Sequence, residues 1–406
     1  MPVDFSSLSS CPPSASDLER DVKLLADVCR EYVTQSDTGW RNEVARHPDP
    51  ERLASTADQH GVLPLMARAI SLAGVRGETV QTSARGIAFH NLALAAELVK
   101  LIRGLRELGI EALAYKGAVL AQQLYGDVTL RQFRDLDILI APMDVMLARE
   151  ALCQLGYEEF ERFSGPFLRK HVSSQCEWQM RGKDSGTTIE LHWALFPRYA
   201  SIDLSVTELT QESVSIEVAG ERVKTMNLHH LVLVLSAHGT KHLWYRLEWL
   251  VDFALALQKC GDDGGKLLEN SARKGMKRTL LISAALAANV LHVRLPKEFE
   301  SALRADDSVG VLADDMLRSL VAGVVPADLL GENVLLLRAR ERWSDRAKIV
   351  SRLAITPGPE EWRWVDLPEW AEWFYRPIRL ARAARYLPRI VQRTFSSRGG
   401  FGRKVN

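Results

Sequence analysis

The hydrophobic period changes twice along the chain, and those changes limit the fold more than any other feature. Up to about residue 108 the apolar residues recur at helical spacing. Leu18, Val22, Leu25, Cys29 and Tyr32 share one face, with Ser16 as a candidate cap. A second helix is expected from Pro50 to His60, and another after Gly61 and Pro64 through Ile70. The longest pattern runs from Val80 to Leu108, carried by Leu92, Leu94, Ala95, Leu98, Leu101, Ile102 and Leu105, and Gly109 ends it.

Between Ala112 and Met226 short segments take over. Ala112–Tyr115, Asp135–Ile140, Tyr157–Phe163, His171–Met180 and Thr187–Trp193 read as strands. Helices are expected at Ala118–Tyr125 and from Pro142 to Gly156. Val214–Val218 and Val223–Met226 read as a hairpin joined by Ala219-Gly220-Glu221-Arg222. From Leu228 the helical period returns. The first helix is expected to run unbroken to Lys259, followed by Lys266–Gly275, Lys277–Val293, Ser301–Leu320 and Asn333–Ile355. A Trp-rich segment then leads to a basic helix near Arg376–Arg393.

The expected class is therefore α+β: a small mixed β-sheet core flanked by N-terminal helices and a C-terminal helical domain. The boundaries fall at 1–80, 81–227 and 228–395, with 396–406 a disordered Gly/Ser/Arg-rich tail. A chain of 406 residues exceeds one ordinary core, which agrees with this division.

Charge gives no global pull toward nucleic acid or membrane, since the formal net charge is only +1. It is unevenly spread. Trp373 to Asn406 holds eight Arg and one Lys with no Asp or Glu, so this segment is +9 and the rest is −8 by difference. An acidic partner, RNA or an anionic membrane surface would suit such a tail. The five cysteines show no CxxC spacing, the N-terminus lacks a basic start followed by an apolar run, and no stretch reaches the ~18 apolar residues of a membrane span. A cytoplasmic protein is expected.

The chemistry concentrates in the middle unit. Residues alternate across a strand, so Asp135 and Asp137 in DLDILI face one way and Leu136 and Ile138 the other. Two carboxylates that close repel, and a hard dication such as Mg²⁺ is their natural neutraliser, shared with substrate phosphates. Upstream, Lys116-Gly117 opens a helix, where a glycine lets phosphate approach backbone N–H groups. Arg131 and Arg134 precede the carboxylates. Their alternatives are charge compensation of Asp127 and Asp135, or stabilisation of a triphosphate. Glu190, in TIELHW, offers a third carboxylate, with His192 on the same strand face. His238 and His242 stand one helical turn apart. Zinc is the weaker reading; a place facing the cleft or satisfying core polar groups is the stronger. Lys241 and Arg246 could touch phosphate or lie on a solvated face, and Asp252 is expected to be the buried partner of a basic residue.

The ordered set Lys116-Gly117, Leu124-Tyr125-Gly126-Asp127, Arg131, Arg134-Asp135-Leu136-Asp137 and Glu190-Leu191-His192-Trp193 resembles the uncharacterised branch of the nucleotidyltransferase superfamily, which has the DNA polymerase β-like fold. Downstream, HGTKH at 238–242, with Trp244, Leu247, Trp249 and Asp252, resembles that branch's first C-terminal helix. The resemblance implies that Asp135 and Asp137 bind Mg²⁺, with Glu190 in the third acidic position. It implies an NTP as co-substrate, held by Lys116, Gly117, Arg131, Arg134, Lys241 and His242. Two departures stand out: Glu replaces the usual third Asp, and Lys-Gly replaces the usual Gly-Ser phosphate turn. The implied activity is transfer of an NMP from an NTP to a hydroxyl, amine or phosphate, with release of pyrophosphate. The departures motivate an alternative, a catalytically inactive nucleotide-binding or scaffold protein. The basic tail motivates another, a tRNA- or protein-modifying enzyme.

Overall fold

A computed structural model describes residues 15–160, 165–197, 200, 202, 204–323, 335–357, 359–365, 367 and 369–384. Its architecture is α+β. Five strands form the main sheet: β1 (Ala112–Ala114), β2 (Asp135–Ile140), β3 (Tyr157–Glu159), β4 (Glu177–Gly182) and β5 (Thr188–His192), in the order β1-β2-β5-β4-β3. Only β2 and β5 pair in parallel; the other neighbours are antiparallel. A separate hairpin, β6 (Val214–Val218) and β7 (Glu221–Thr225), turns through Ala219 and Gly220, both at positive φ. Two such residues are what a tight hairpin loop requires.

The sheet has two different faces because β2 alternates. Leu136, Ile138 and Ile140 pack with Leu94, Leu98, Leu101 and Leu105 of the long helix Glu78–Glu107. Leu139, on the opposite face with Asp135 and Asp137, belongs instead to the core of the C-terminal helices. The carboxylates are thereby turned toward the helical half of the molecule.

That half is not built from C-terminal residues alone. Four N-terminal helices, Ala15–Thr34, Trp40–Ala45, Pro50–Gln59 and Leu63–Leu72, bury Leu25, Val28, Leu53, Leu63 and Ile70 in one apolar core with Leu233, Leu250, Leu280 and Leu312.

Several expectations need correction. The segment expected as strand from His171 is helical over Gly165–Ser174, and the strand begins only at Glu177. The expected single helix from Leu228 to Lys259 is two helices, Leu228–Lys241 and Leu247–Lys259. The break lies at Leu243 and Trp244, both at positive φ, where the Trp244 amide donates to the Gly239 carbonyl at 2.8 Å. Similarly, 301–320 divides into Lys297–Arg304 and Asp307–Ala322, because the Asp306 carboxylate caps the second helix by accepting from the Ser308 amide. Ser16 lies inside the first helix rather than at its cap. The basic helix spans Tyr375–Ala383, and its Arg379 and Arg382 pair with the buried Glu361. The rest of that helix, the expected tail and residues 333–334 of the expected 333–355 helix lie outside the described residues. Among the described residues, no helix is long and apolar enough to cross a membrane.

Candidate active site

The parallel pairing of β2 with β5 sets Asp137 in register with Glu190, and Leu139 with His192. Ligand atoms of Asp137, Glu190 and His192 all lie within 4.8 Å of one another. His192 Nε2 is 3.3 Å from Asp137 Oδ1 and 3.5 Å from Glu190 Oε2. On its other side, Nδ1 faces Glu177 Oε2 at 3.5 Å, long for a hydrogen bond. Asp135 shares the strand face but stands outside this group.

Lys116 reaches in from the strand–helix junction. Its Nζ donates to Asp137 Oδ1 at 2.8 Å. The helix Gly117–Tyr125 starts beside it. Gly117 has φ +56°, and a side chain there would press on the Asp135 carbonyl, 3.1 Å from an added Cβ. The glycine is required by this close approach of helix and strand.

The cavity above the strand ends is about 360 Å³, within the range of small-ligand sites. Lys116, Gly117, Arg131, Arg134, Asp135, Glu190, Lys241 and His242 all line it. The sequence reading assigned every one of these to the site. Their roles differ with their surroundings. Arg131 is buried and bound through Nε and Nη2 to Asp252, which also accepts from the Tyr125 hydroxyl at 2.7 Å. Asp252 is thus the buried partner of a basic residue, as expected, and Arg131's counter-charge is Asp252 rather than Asp127 or Asp135. Arg134 is largely exposed, 3.8 Å from Asp58. Lys241 also lines the cavity, and no carboxylate among the described residues pairs with it.

Electrostatics separate the carboxylates. Burial pushes Asp135 up to about 6, aided by the negative Asp137 beside it. Burial acts on Asp137 too, but Lys116 and His192 outweigh it and hold that carboxyl well below the usual range. A hydrogen bond from His192 lowers Glu190 against its own burial. Burial opposes charge on His192, yet hydrogen bonds to Asp137, Cys176 and Glu190 raise its pKa well above the ordinary imidazole value. Among the described residues, no carboxylate is hydrogen-bonded to His238 or His242. Burial holds both neutral, His242 near about 3 with Lys241 adding to the effect.

These two neutral rings meet Trp249. The His238–Trp249 and His242–Trp249 centroids are 5.0 and 5.5 Å apart, and Tyr245 stacks edge-on against Trp249 at 4.8 Å. An uncharged aromatic wall therefore faces the charged strand ends.

Do these residues suit a divalent cation? Asp137 Oδ2 is buried and has no hydrogen-bond partner, a costly state for a carboxylate oxygen that a bound cation would relieve. The donor set fits.

Sequence reasoning placed His192 on the right face but gave it no role. The signal was its two-residue spacing from Glu190. It missed Glu177 and Glu248, which line the same cavity. No spacing rule links them to Asp135, since they arrive from β4 and from the helix Leu247–Lys259.

The sheet, the helix opening at Gly117 and the carboxylate pair together define a nucleotidyltransferase-type unit. Residues 46–292 match the family described as "Uncharacterised nucleotidyltransferase", more than half of the chain. The protein belongs to that family. Among solved structures, it is similar to the antibiotic-resistance factor ANT(2'')-Ia in solution, at 14% identity over 45% of this chain and 91% of that one, with a TM-score of 0.33. A crystal structure of ANT(2'')-Ia with adenylyl-2''-tobramycin gives 14% identity over 45% and 97%, also at 0.33. An antigenic nucleotidyltransferase-like protein from Paracoccidioides brasiliensis gives 16% identity over 53% and 97%, at 0.32. At that level of likeness the assignment rests on the family match. No protein with a curated functional description matches the chain.

Proposed function

We propose that this protein is a metal-dependent nucleotidyltransferase that moves an NMP from an NTP to a hydroxyl, amine or phosphate of an acceptor. The observation that carries this reading is the meeting of Asp135 and Glu190 with Lys116 and the Gly117 helix start in one cavity, with Asp137 buried beside them in register with Glu190 and bound to Lys116. Asp135, Asp137 and Glu190 would hold a divalent cation, Mg²⁺ being the one that the resemblance implies. When bound, it supplies charge neutralisation at the triphosphate.

The remaining chemistry belongs to the chain. The N–H groups near Gly117 and the Lys116 ammonium attract phosphate oxygens. Lys241 and Arg134 add positive charge at the cavity wall. The neutral His238, His242 and Trp249 rings give a base or an apolar acceptor a surface to stack on. As the acceptor oxygen or nitrogen bonds to the α-phosphorus, the bond to the bridging oxygen breaks and pyrophosphate leaves. The acceptor's proton passes to Glu190 Oε2, which the fold keeps ionised. The catalytic contribution is positioning and preorganised charge.

Asp135→Asn and Asp137→Asn should each abolish metal-dependent turnover of NTP, with the fold unchanged by circular dichroism. The check is transfer of label from α-³²P-NTP to acceptors in a cell extract. A double variant that still labels its acceptor would refute the proposal. Calorimetry that finds Mg²⁺–NTP binding without turnover on any acceptor would favour an inactive nucleotide-binding module. The Lys-Gly turn and the third-position Glu190 are the observations behind that second reading.

A further inference from the structure

The donor set contains more than carboxylates. The three side chains that converge on one point are Asp137, Glu190 and His192, while Asp135 stands aside. His192 arrives there by sequence and register together. It follows Glu190 by two residues on β5, so the two share a face, and parallel pairing brings that face beside Asp137. Its position is also fixed. The residue is buried, and the Tyr115 ring packs edge-on against it at 5.5 Å. Nε2 points between the two carboxylates.

Two buried atoms of this cluster, Asp137 Oδ2 and His192 Nδ1, lack a hydrogen-bond partner among the described residues, which sets the ring apart from a satisfied core histidine. Behind the ring, Glu177 Oε2 faces Nδ1 at 3.5 Å. A small rotation of the Glu177 carboxylate would supply the kind of support that orients a metal-bound imidazole. β4 and β5 supply this arrangement through their register, which sets Glu177 opposite His192.

We infer that His192 Nε2 joins the carboxylates as a ligand of the divalent cation, beside Asp137 and Glu190 and with its proton released as the ion enters, so that the site favours a first-row transition ion such as Mn²⁺ over Mg²⁺. This rests on the reading of the site as metal-dependent, not on the identity of the reaction. Mg²⁺ prefers an all-oxygen octahedron and retains its waters, whereas imidazole suits the first-row transition ions. Lys116 is the cation at Asp137 Oδ1 in this structure, and it can swing toward incoming phosphate when a dication takes over that oxygen.

The experiment uses the full chain loaded with Mn²⁺ and read by pulsed EPR, which detects nitrogen bound to the ion whether or not the protein turns over. The expected result is ¹⁴N modulation from one imidazole, converted to the ¹⁵N pattern by growth on ¹⁵N-histidine. His192→Asn should remove it and lower Mn²⁺ affinity by at least about tenfold, a typical loss for altered metal-site ligation. The double variant His238→Asn/His242→Asn should keep it, which identifies His192 even if His192→Asn does not fold. Mn²⁺ bound with no histidine nitrogen, modulation surviving in His192→Asn, or no Mn²⁺ binding would each overturn the inference. Bound Mn²⁺ with His192 modulation but no nucleotidyl transfer would overturn the proposed reaction and leave this ligand set standing.

Discussion

Glu248 shows how strongly one buried group can tie stability to pH. Its amide donates to the His60 carbonyl, and its side chain packs against Gly61, where an added Cβ would fall 1.8 Å from Oε2. Burial raises its carboxyl to about 7, with Arg246 opposing the shift and Asp252 and Asp135 adding to it. Between the unfolded value near 4.5 and about 7, the folded state keeps a proton that the unfolded state releases. The sign follows: Glu248 makes the protein less stable as pH rises through this window, and the penalty levels off above 7. Glu248→Gln has no such proton. Its stability relative to the native chain should therefore rise by about 2–3 kcal/mol between pH 4.5 and 8, the rough equivalent of the shift. Urea unfolding at a series of pH values measures this, and a constant difference would exclude the burial account. Residues like Glu248 are not legible in sequence. A Glu at the start of a helix reads as an exposed dipole partner, and only the arrival of His60-Gly61 from a distant helix buries it. Asp135 and Asp137 were legible because strand alternation is local, and local geometry survives folding unchanged.

At the scale of elements, the break between Leu228–Lys241 and Leu247–Lys259 matters most. The helical pattern resumes on both sides of the break, and the one glycine, Gly239, falls inside the first helix rather than at the stop, so periodicity alone reads a single helix. The stop comes from tertiary packing. Trp244 folds back over Gly239, where an added Cβ would lie 2.4 Å from the indole. The turn leaves Lys241 and His242 at the end of one helix and Arg246 and Trp249 at the start of the next, all on the cavity. Gly239→Ala would force the indole away and should cost about 1–3 kcal/mol, as overpacking does. Gly310→Ala is the control. It sits in the helix Asp307–Ala322 with open space around it and should stabilise by about 0.5–1 kcal/mol. Opposite signs for the two glycines in urea melts would establish that the indole contact, not glycine's helix propensity, sets the break. If Gly239→Ala is neutral, the break has another cause. The strand expected from His171 failed for a related reason. β-Branched and aromatic residues there serve a helix whose His171 ring packs against Trp178 and Trp193, a contact that propensity cannot register.

For the whole molecule, the N-terminal helices act as part of the catalytic half. They share an apolar core with the C-terminal helices, and they also reach the cavity. Asp58 accepts from Gln132 Nε2 at 2.8 Å, and Gln132 lines the cavity beside Arg131. His60 anchors Glu248. Tyr32 of the first helix stacks on Tyr125 at 5.9 Å, and Tyr125 donates to the Asp252 that holds Arg131. The sequence marks 1–80 as an N-terminal helical region punctuated by Gly61 and Pro64, but such punctuation records chain direction and not what each helix packs against. Removing residues 1–77 would strip four helices from Leu233, Leu250 and Leu280 and leave a large apolar face in water. The truncated chain should bind hydrophobic dyes, lose its cooperative melt and fail to bind nucleotide, although Asp135, Asp137, Glu190, Lys116 and Lys241 remain present. Calorimetric melting and nucleotide titration of the two lengths decide the matter. A truncated chain that melts cooperatively and binds nucleotide at native strength would make the N-terminal helices an accessory. The predicted joint loss would make them one wall of the site.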